Sequence, residues 1–365
     1  MTPPLPRFAD VVVLPVLNLL IALAVAGLFI ALIGENPVRA LRVMIDGAFV
    51  YPGGLGYTLY YATNFVFAGL AVAVAFQARL FNIGGEGQAA IGGLGAALVA
   101  LALDPVLPGL LVIPLAILAA AAFGAAWAFV PGWLQAYRGS HVVITTIMFN
   151  FIAAGVLVAL LTGPLIRPGQ STPQTRDVAG GATLPRLHEI GALVGIDATP
   201  TPANLSLVLA LLACLAVWVL VWRTPFGFRL RTLGESEPAA RYAGVPVART
   251  IVLAMTVSGA LAGLMAVNDV LGAQEKLILN FTAGYGFAGI AGAHPVGILF
   301  ASLLFGALYQ GGAELAFEFR TINRELVLVI QGLIILFSGA LGLMLAGPLA
   351  RLLALRLPRR AAAGG

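Results

Sequence analysis

One cysteine, one lysine and three histidines are the only thiol, amine and imidazole side chains in this 365-residue chain. Cys214 lies inside an apolar run; it has no disulfide partner and no neighbours for a metal site, so it reads as a small packing residue. No Gly-x-x-x-x-Gly-Lys-Ser/Thr phosphate loop occurs, and the single lysine, Lys276, stands elsewhere, which excludes nucleotide hydrolysis by that route. His141 and His294 lack acidic or cysteine neighbours at ligand spacing, and His188 falls in a polar loop. There are no paired intramembrane aspartates and no serine elbow. Charge is scarce as well. Only 10% of residues are charged, and no basic stretch carries interleaved aromatics, so a nucleic-acid partner is not expected.

What the chain has is hydrocarbon. It is 60% hydrophobic with a mean hydropathy of +1.00, and its apolar runs reach the ~20 residues needed to cross a bilayer core. The expected fold is all-α: a polytopic membrane protein of about ten helices. Its 44 glycines suit close packing of membrane helices. Val11–Ile33 is a first span, long enough to read as a retained helix and not a signal peptide. Gly34–Gly56 is an amphipathic connector, with Val38, Leu41, Met44 and Ile45 at helical spacing, and suits a helix on the membrane surface. Spans are expected over Tyr57–Ala78, Ala89–Leu103, Leu107–Val130, Val142–Thr162, Leu205–Trp222, Thr250–Val267, Pro295–Ala313 and Leu326–Leu345, with Leu277–Ala293 as a short one. Pro131–His141 and Asn268–Lys276 read as connectors.

The organising feature is a polar island, Arg223–Arg249, with five arginines and two glutamates between apolar runs. Pro238 suits a first helical position, with Glu235 and Glu237 before it at the helix end that favours negative charge. Ala239, Ala240, Arg241, Tyr242 and Ala243 form a turn or two, Gly244 closes it in the left-handed region, and Pro246 forbids continuation. Such a helix, with Ala, Tyr and Arg on its surface, is either a docking knob or an ordinary loop carrying orientation charges. The tail adds Arg351, Arg356, Arg359 and Arg360, whereas the 163–204 loop is balanced. The positive-inside rule therefore places the island, the tail and the N-terminus in the cytoplasm and the 163–204 loop outside. The chain is expected to be a single transmembrane domain. Residues 57–162 and 250–347 are expected as two halves of opposite orientation, each with an early glycine-rich interruption, which either points to a transport pathway or is coincidence in a glycine-rich chain.

The first interruption, Phe81-Asn-Ile-Gly-Gly-Glu-Gly-Gln88, is the most informative segment in the apolar zone. Irregular backbone survives at membrane depth only where protein or a watery cavity satisfies it. Asn82, Glu86 and Gln88 either line a pathway for an uncharged polar solute or cap helix ends at a tight corner. Among the polar residues inside spans (Asn64, Thr145, Thr146, Asn150, Ser258, Asn268), Asn150 between Phe149 and Phe151 is the best pathway candidate, because an amide beside an aromatic ring suits a sugar or a base. Apart from Glu86 the spans carry almost no charge, which favours a transporter powered from outside its membrane domain over an ion-coupled carrier.

Those two polar segments resemble known ones. Phe81–Gln88 is similar to the segment typical of the nucleoside and simple-sugar branch of bacterial ABC importer permeases, within the branched-chain amino acid, ribose and nucleoside permease family. Gly234-Glu-Ser-Glu-Pro-Ala-Ala-Arg-Tyr-Ala-Gly244 resembles the loop that couples such permeases to their ATP-binding subunit, and Gly286 to Gly297 agrees more loosely with a later glycine-rich segment. The resemblance implies a coupling role for Glu235, Glu237, Pro238, Ala239, Ala240, Arg241, Tyr242 and Gly244. It implies a solute pathway through Asn82, Glu86, Gln88, Thr146, Phe149, Asn150 and Phe287. It also implies an ATP-binding subunit, a second homologous permease and an extracytoplasmic solute-binding protein, all at the bacterial inner membrane. ATP and magnesium would be used by the partner, and no cofactor is expected on this chain. Ser236 stands where that group often has Asn. The rivals are a stand-alone ion-coupled carrier and an intramembrane enzyme or scaffold.

Overall fold

The computed structural model describes residues 13–179, 181–282, 284–285, 295–323, 325–334 and 336. Among these, the regular structure is helical, with two isolated β-bridges, Gln174 with Ile278 and Arg186 with Asn204. The helices are α1 (Leu14–Leu32), α2 (Pro37–Phe49), α3 (Gly54–Phe76), α4 (Gly85–Leu103), α5 (Gly109–Arg138), α6 (Val142–Thr162), α7 (Leu187–Leu193), α8 (Ser206–Arg223), α9 (Pro225–Glu235), α10 (Glu237–Tyr242), α11 (Val247–Val267), α12 (Pro295–Glu318) and α13 (Glu325–Ile334). Seven of the described helices are long and apolar enough to cross a membrane, or eight if α1 and α2, bent by 120°, count as one. The last expected span, 326–345, lies mostly outside the described residues, as does the arginine tail.

The chain forms two compact units, Tyr51–Ala307, and Met1–Val50 with Leu308–Gly365. The first is built around α3, whose side chains are buried almost throughout. Helices α5, α6 and α8 instead leave Leu110, Phe151 and Leu215 exposed, as hydrocarbon-facing helices do. Small residues let α4, α5 and α11 meet backbone to backbone. A Cβ on Gly124 would stand 2.8 Å from the Gly263 Cα, and one on Gly132 would stand 2.7 Å from the Met255 Cβ. Gly259 and Gly263, four apart on α11, face Gly124, Ala128 and Ala120 of α5, the small-xxx-small spacing of membrane helix pairs.

Two connectors are not loops. Pro131 does not end the fourth span; α5 runs on to Arg138 and stops at Gly139, whose φ is +68°. A proline removes one ladder bond, and neighbouring helices stabilise the site, since Pro131 and Gly132 are buried. Nor does the seventh span end at Val267: it continues as a π-helical turn, Asn268–Ala273, in which Asn268 and Asp269 are buried. In contrast, the described part of 277–285 forms turns and a bridge, and the rest of the expected short span, 286–293, lies outside the described residues.

In the second unit, Asn36 caps α2 by accepting from the N–H groups of Val38 (2.9 Å) and Arg39 (3.2 Å). Met44 turns inward with Ala40, Val43, Gly47 and Ala48, while Val38, Leu41 and Ile45 stay exposed. Arg39 bonds Glu318 at 2.6 Å and lies over the Phe319 ring.

The 163–204 loop is held to the rest of its unit by charge. Arg176 clasps Asp104, at the end of α4, through both carboxylate oxygens (2.6 and 2.8 Å), and the Ala179 N–H adds a third bond at 2.7 Å. The Arg176 guanidinium holds the Asp104 carboxyl below the usual carboxylate range. Asp177 is lowered likewise, by Lys276 first and then Arg167.

Candidate functional site

Between α3 and α4 the chain leaves helix at Gln77 and re-enters at Gly85. Asn82 organises this break. Its Oδ1 accepts from the Gly84 N–H (2.9 Å) and from Gln88 Nε2 (3.0 Å), while its Nδ2 donates to Gln88 Oε1 (2.9 Å) and to Ser258 Oγ of α11 (2.8 Å). Ser258 in turn donates to the Ala71 carbonyl at 2.6 Å. Asn150 of α6 supports the other side: Oδ1 accepts from the Gly87 N–H and Nδ2 donates to the Ile83 carbonyl, both at 2.9 Å. Gly87 needs to be glycine here, because its Cβ would lie 2.9 Å from the Asn150 Cα. Thr146 donates within its own helix to Val142, and Phe149 stacks edge-on with Trp127. Phe287 lies outside the described residues.

Glu86, in the first turn of α4, reaches across to the second interruption. Its Oε1 accepts from the Thr282 hydroxyl and from the Gly284 N–H at 3.0 Å. The two glycine-rich breaks thus meet. Glu86, Gly87, Asn150, Asn280, Phe281 and Thr282 line a cavity of about 80 Å³ there.

A larger chamber of about 500 Å³ lies at the end that carries the 163–204 loop. Tyr57, Tyr61, Tyr285, Arg186 and Asp269 line it, and so do Asn280 and Phe281, which the two cavities share. Asn280 has a φ of +56°. Asp269 is 2% exposed; it accepts from the Tyr60 hydroxyl and from Asn64 Nδ2 (3.3 Å). Behind it, Asn268 donates to Asn64 Oδ1 (2.8 Å) and accepts from Asn204 (2.9 Å) and Ser206 (2.8 Å). Asn64 and Asn268 therefore stitch α3, α8 and the π turn together, as polar side chains between membrane helices do. A buried carboxylate in the π turn corrects the expectation that Glu86 is almost the only charged side chain in the membrane-spanning part. The reading that placed 268–276 in a connector hid it, and its one signal was an Asn-Asp pair directly continuing an apolar span.

At the other end, Thr224 caps α9 and Ser236 caps α10, accepting from the Ala239 N–H at 3.3 Å. Gly244 takes the left-handed conformation, with φ +76°. Glu237 and Arg241 pair at 2.7 Å, Glu235 ends α9, and Pro238 sits in the first turn of α10. Tyr242 is 98% exposed, and Ala239, Arg241 and Ala243 are exposed beside it, whereas Ala240 is fully buried. A six-residue helix needs one side anchored, and Ala240 is the residue small enough to provide it. Gly234 lies against the Gln77 backbone, and Arg79 Nε donates to the Gly234 carbonyl at 2.8 Å. The polar island is thereby bonded to the first interruption.

The family profile described as branched-chain amino acid transport system / permease component matches residues 54–339. The chain is 34% identical over 330 residues to the glucose ABC transporter permease protein TsgB13 of Haloferax volcanii, covering 88% of this chain and 86% of that protein. It is 33% identical over 330 residues to the guanosine ABC transporter permease protein NupP of Bacillus subtilis, covering 88% and 91%. It is 31% identical over 335 residues to the nucleoside ABC transporter permease protein NupB of Lactococcus lactis, covering 89% and 90%. No solved structure matches it. With the family's profile running from the start of α3 to beyond α13, this multi-pass chain belongs to the branched-chain amino acid transport permease family, among the ABC importer permeases of nucleoside and sugar type.

Proposed function

We propose that this chain is the membrane subunit of an ATP-driven importer in the inner membrane, passing an uncharged polar solute, a nucleoside or a simple sugar, from the loop-bearing end to the island end. The observation that carries the reading is the meeting of two non-helical segments at Glu86, with a cavity on their line and a larger chamber sharing Asn280 and Phe281 with it. Irregular backbone at that depth is supported where it lines a path. The island's arginines favour a cytoplasmic position for that end. There an ATP-binding subunit would dock on α10 and move it, a second permease would complete the path, and a solute-binding protein would deliver from outside. ATP and magnesium belong to the docked subunit in this scheme.

Tyr242 is the residue on which to test it, since it is exposed and has no packing to lose. Tyr242→Glu is expected to abolish ATP-driven uptake and co-purification of the ATP-binding subunit, while expression and insertion stay normal. Undiminished uptake in that variant would overturn the docking assignment. Asp269 gives the ion-coupled alternative one supporting feature, and uptake by this chain alone under an ion gradient would decide for it.

A further inference from the structure

The larger chamber has a chemistry of its own. Tyr61 lies between Tyr60 and Tyr285, with ring centroids 5.1 and 6.1 Å apart, and Tyr57 stands exposed on the same wall. Each oxygen of Asp269 takes one donor, from Tyr60 and from Asn64, and a carboxylate has lone pairs for about two per oxygen. Arg186 also lines the chamber; its Nη2 is paired with Glu275 at 2.8 Å, whereas its Nε is buried with no acceptor among the described residues. The wall thus offers aromatic faces, the Asp269 side chain with accepting capacity left, the unused Arg186 Nε donor, and the polar side chains of Thr201, Gln274 and Asn280. Its volume, about 500 Å³, is that of a small-molecule site.

We propose that this chamber is a solute-reading site, in which a flat heteroaromatic ring lies against Tyr57, Tyr61 and Tyr285 while hydroxyl groups at the solute's other end donate to Asp269. This rests on the importer reading above and deepens it. The chemistry is that of a nucleoside. A nucleotide brings a phosphate toward the acidic Asp269, whose side-chain partners among the described residues are the neutral Tyr60 and Asn64, which disfavours it. Arg186 Nε supplies a donor to a ring carbonyl or ring nitrogen. Phe281, buried and packed on Gly93, closes the floor toward Glu86 and Asn150, so the solute is read before it passes.

The test uses cells that express the complete importer, with tritiated guanosine as the probe. Guanosine, its 2′,3′-dideoxy counterpart, guanosine monophosphate and glucose serve as competitors. The wild type is expected to prefer guanosine over the other three. Asp269→Asn is expected to lose about tenfold of the preference for guanosine over the dideoxy compound, the worth of one charge-assisted hydrogen bond. Tyr57→Ala, at an exposed position where folding is not at stake, is expected to raise the half-saturating concentration about tenfold at an unchanged maximal rate, through the lost stacking face. Wild-type preference in the first variant and wild-type saturation in the second, at normal expression, would overturn the proposal with the importer reading intact. ATP-driven uptake of glucose without guanosine would do the same. Uptake of none of a mixed set of purine and pyrimidine nucleosides and simple sugars by the complete assembly would remove the importer reading and this site together.

Discussion

At the scale of single residues, amides do work in this protein that their spacing only half discloses. Asn150 stood out in sequence as an amide between two phenylalanines. Its main observed duty is to splint the broken backbone, one bond to Gly87 N–H and one to the Ile83 carbonyl. Replacing it by leucine strands both groups out of water, at about 1–3 kcal/mol each. Asn150→Leu is therefore expected to lower the thermal midpoint of the detergent-solubilised protein by several degrees. Asn150→Asp should fall between leucine and wild type, because it still accepts from Gly87 but gives nothing to Ile83. An unchanged midpoint in the leucine variant would refute the splint. Asp269 escaped the sequence reading for a physical reason: an acid at the end of an apolar run is indistinguishable from an exposed cap until the π turn carries it inward.

Helices were the most legible elements, since a membrane demands length and apolarity of each one separately. Their ends were less so. Pro131 looked like a stop and is not: it and Gly132 are buried, with Gly132 packed on Met255 of α11. The glycine seam between α5 and α11 was invisible among 44 glycines, because only partner geometry selects the few that matter. Gly263→Val puts a branched side chain against the Ala120 carbonyl and the Gly124 Cα. The expected cost is about 1–3 kcal/mol, read as lost thermal stability or poor folded yield, whereas Gly155→Val, where no atom lies within 4 Å, should be tolerated. The loop clamp makes a pH prediction. The folded-state pKa of Asp104 is depressed, so its contribution is complete above the ordinary carboxylate pKa and is lost only as pH falls through the lower, folded value. Protease cleavage within 163–204 should stay slow down to mildly acidic pH and accelerate below the ordinary aspartate range. Asp104→Asn should be cut rapidly even at neutral pH; equal protection of the two proteins would dismiss the clamp.

For the whole molecule, sequence resemblance singled out both segments but not that they touch. Nothing in the spacing of 79 and 234 says that Arg79 bonds the Gly234 carbonyl, or that Gly234 has to lack a side chain to lie on Gln77. That contact joins the segment proposed to receive the ATP-binding subunit to the segment proposed to shape the path, with no long chain of intermediaries. A coupling claim requires an element that both sites bias, and the 77–88 turn is the one to test, since it is bonded to the island at one end and carries Glu86 at the other. Arg79 holds the left-handed conformation at φ +57°, so the position is constrained in backbone as well as side chain. Arg79→Ala removes a charge-assisted bond worth about 1.5–3 kcal/mol at most, and less at this exposed site. In proteoliposomes carrying the complete importer, the variant is expected to retain ATP hydrolysis and subunit assembly while solute moved per ATP falls about fivefold. Arg79→Lys keeps the charge but trades a planar donor for a flexible one, and should recover part of the loss. If uptake and hydrolysis fall together, the contact only stabilises the fold; if neither falls, motion of the island reaches the path by another route.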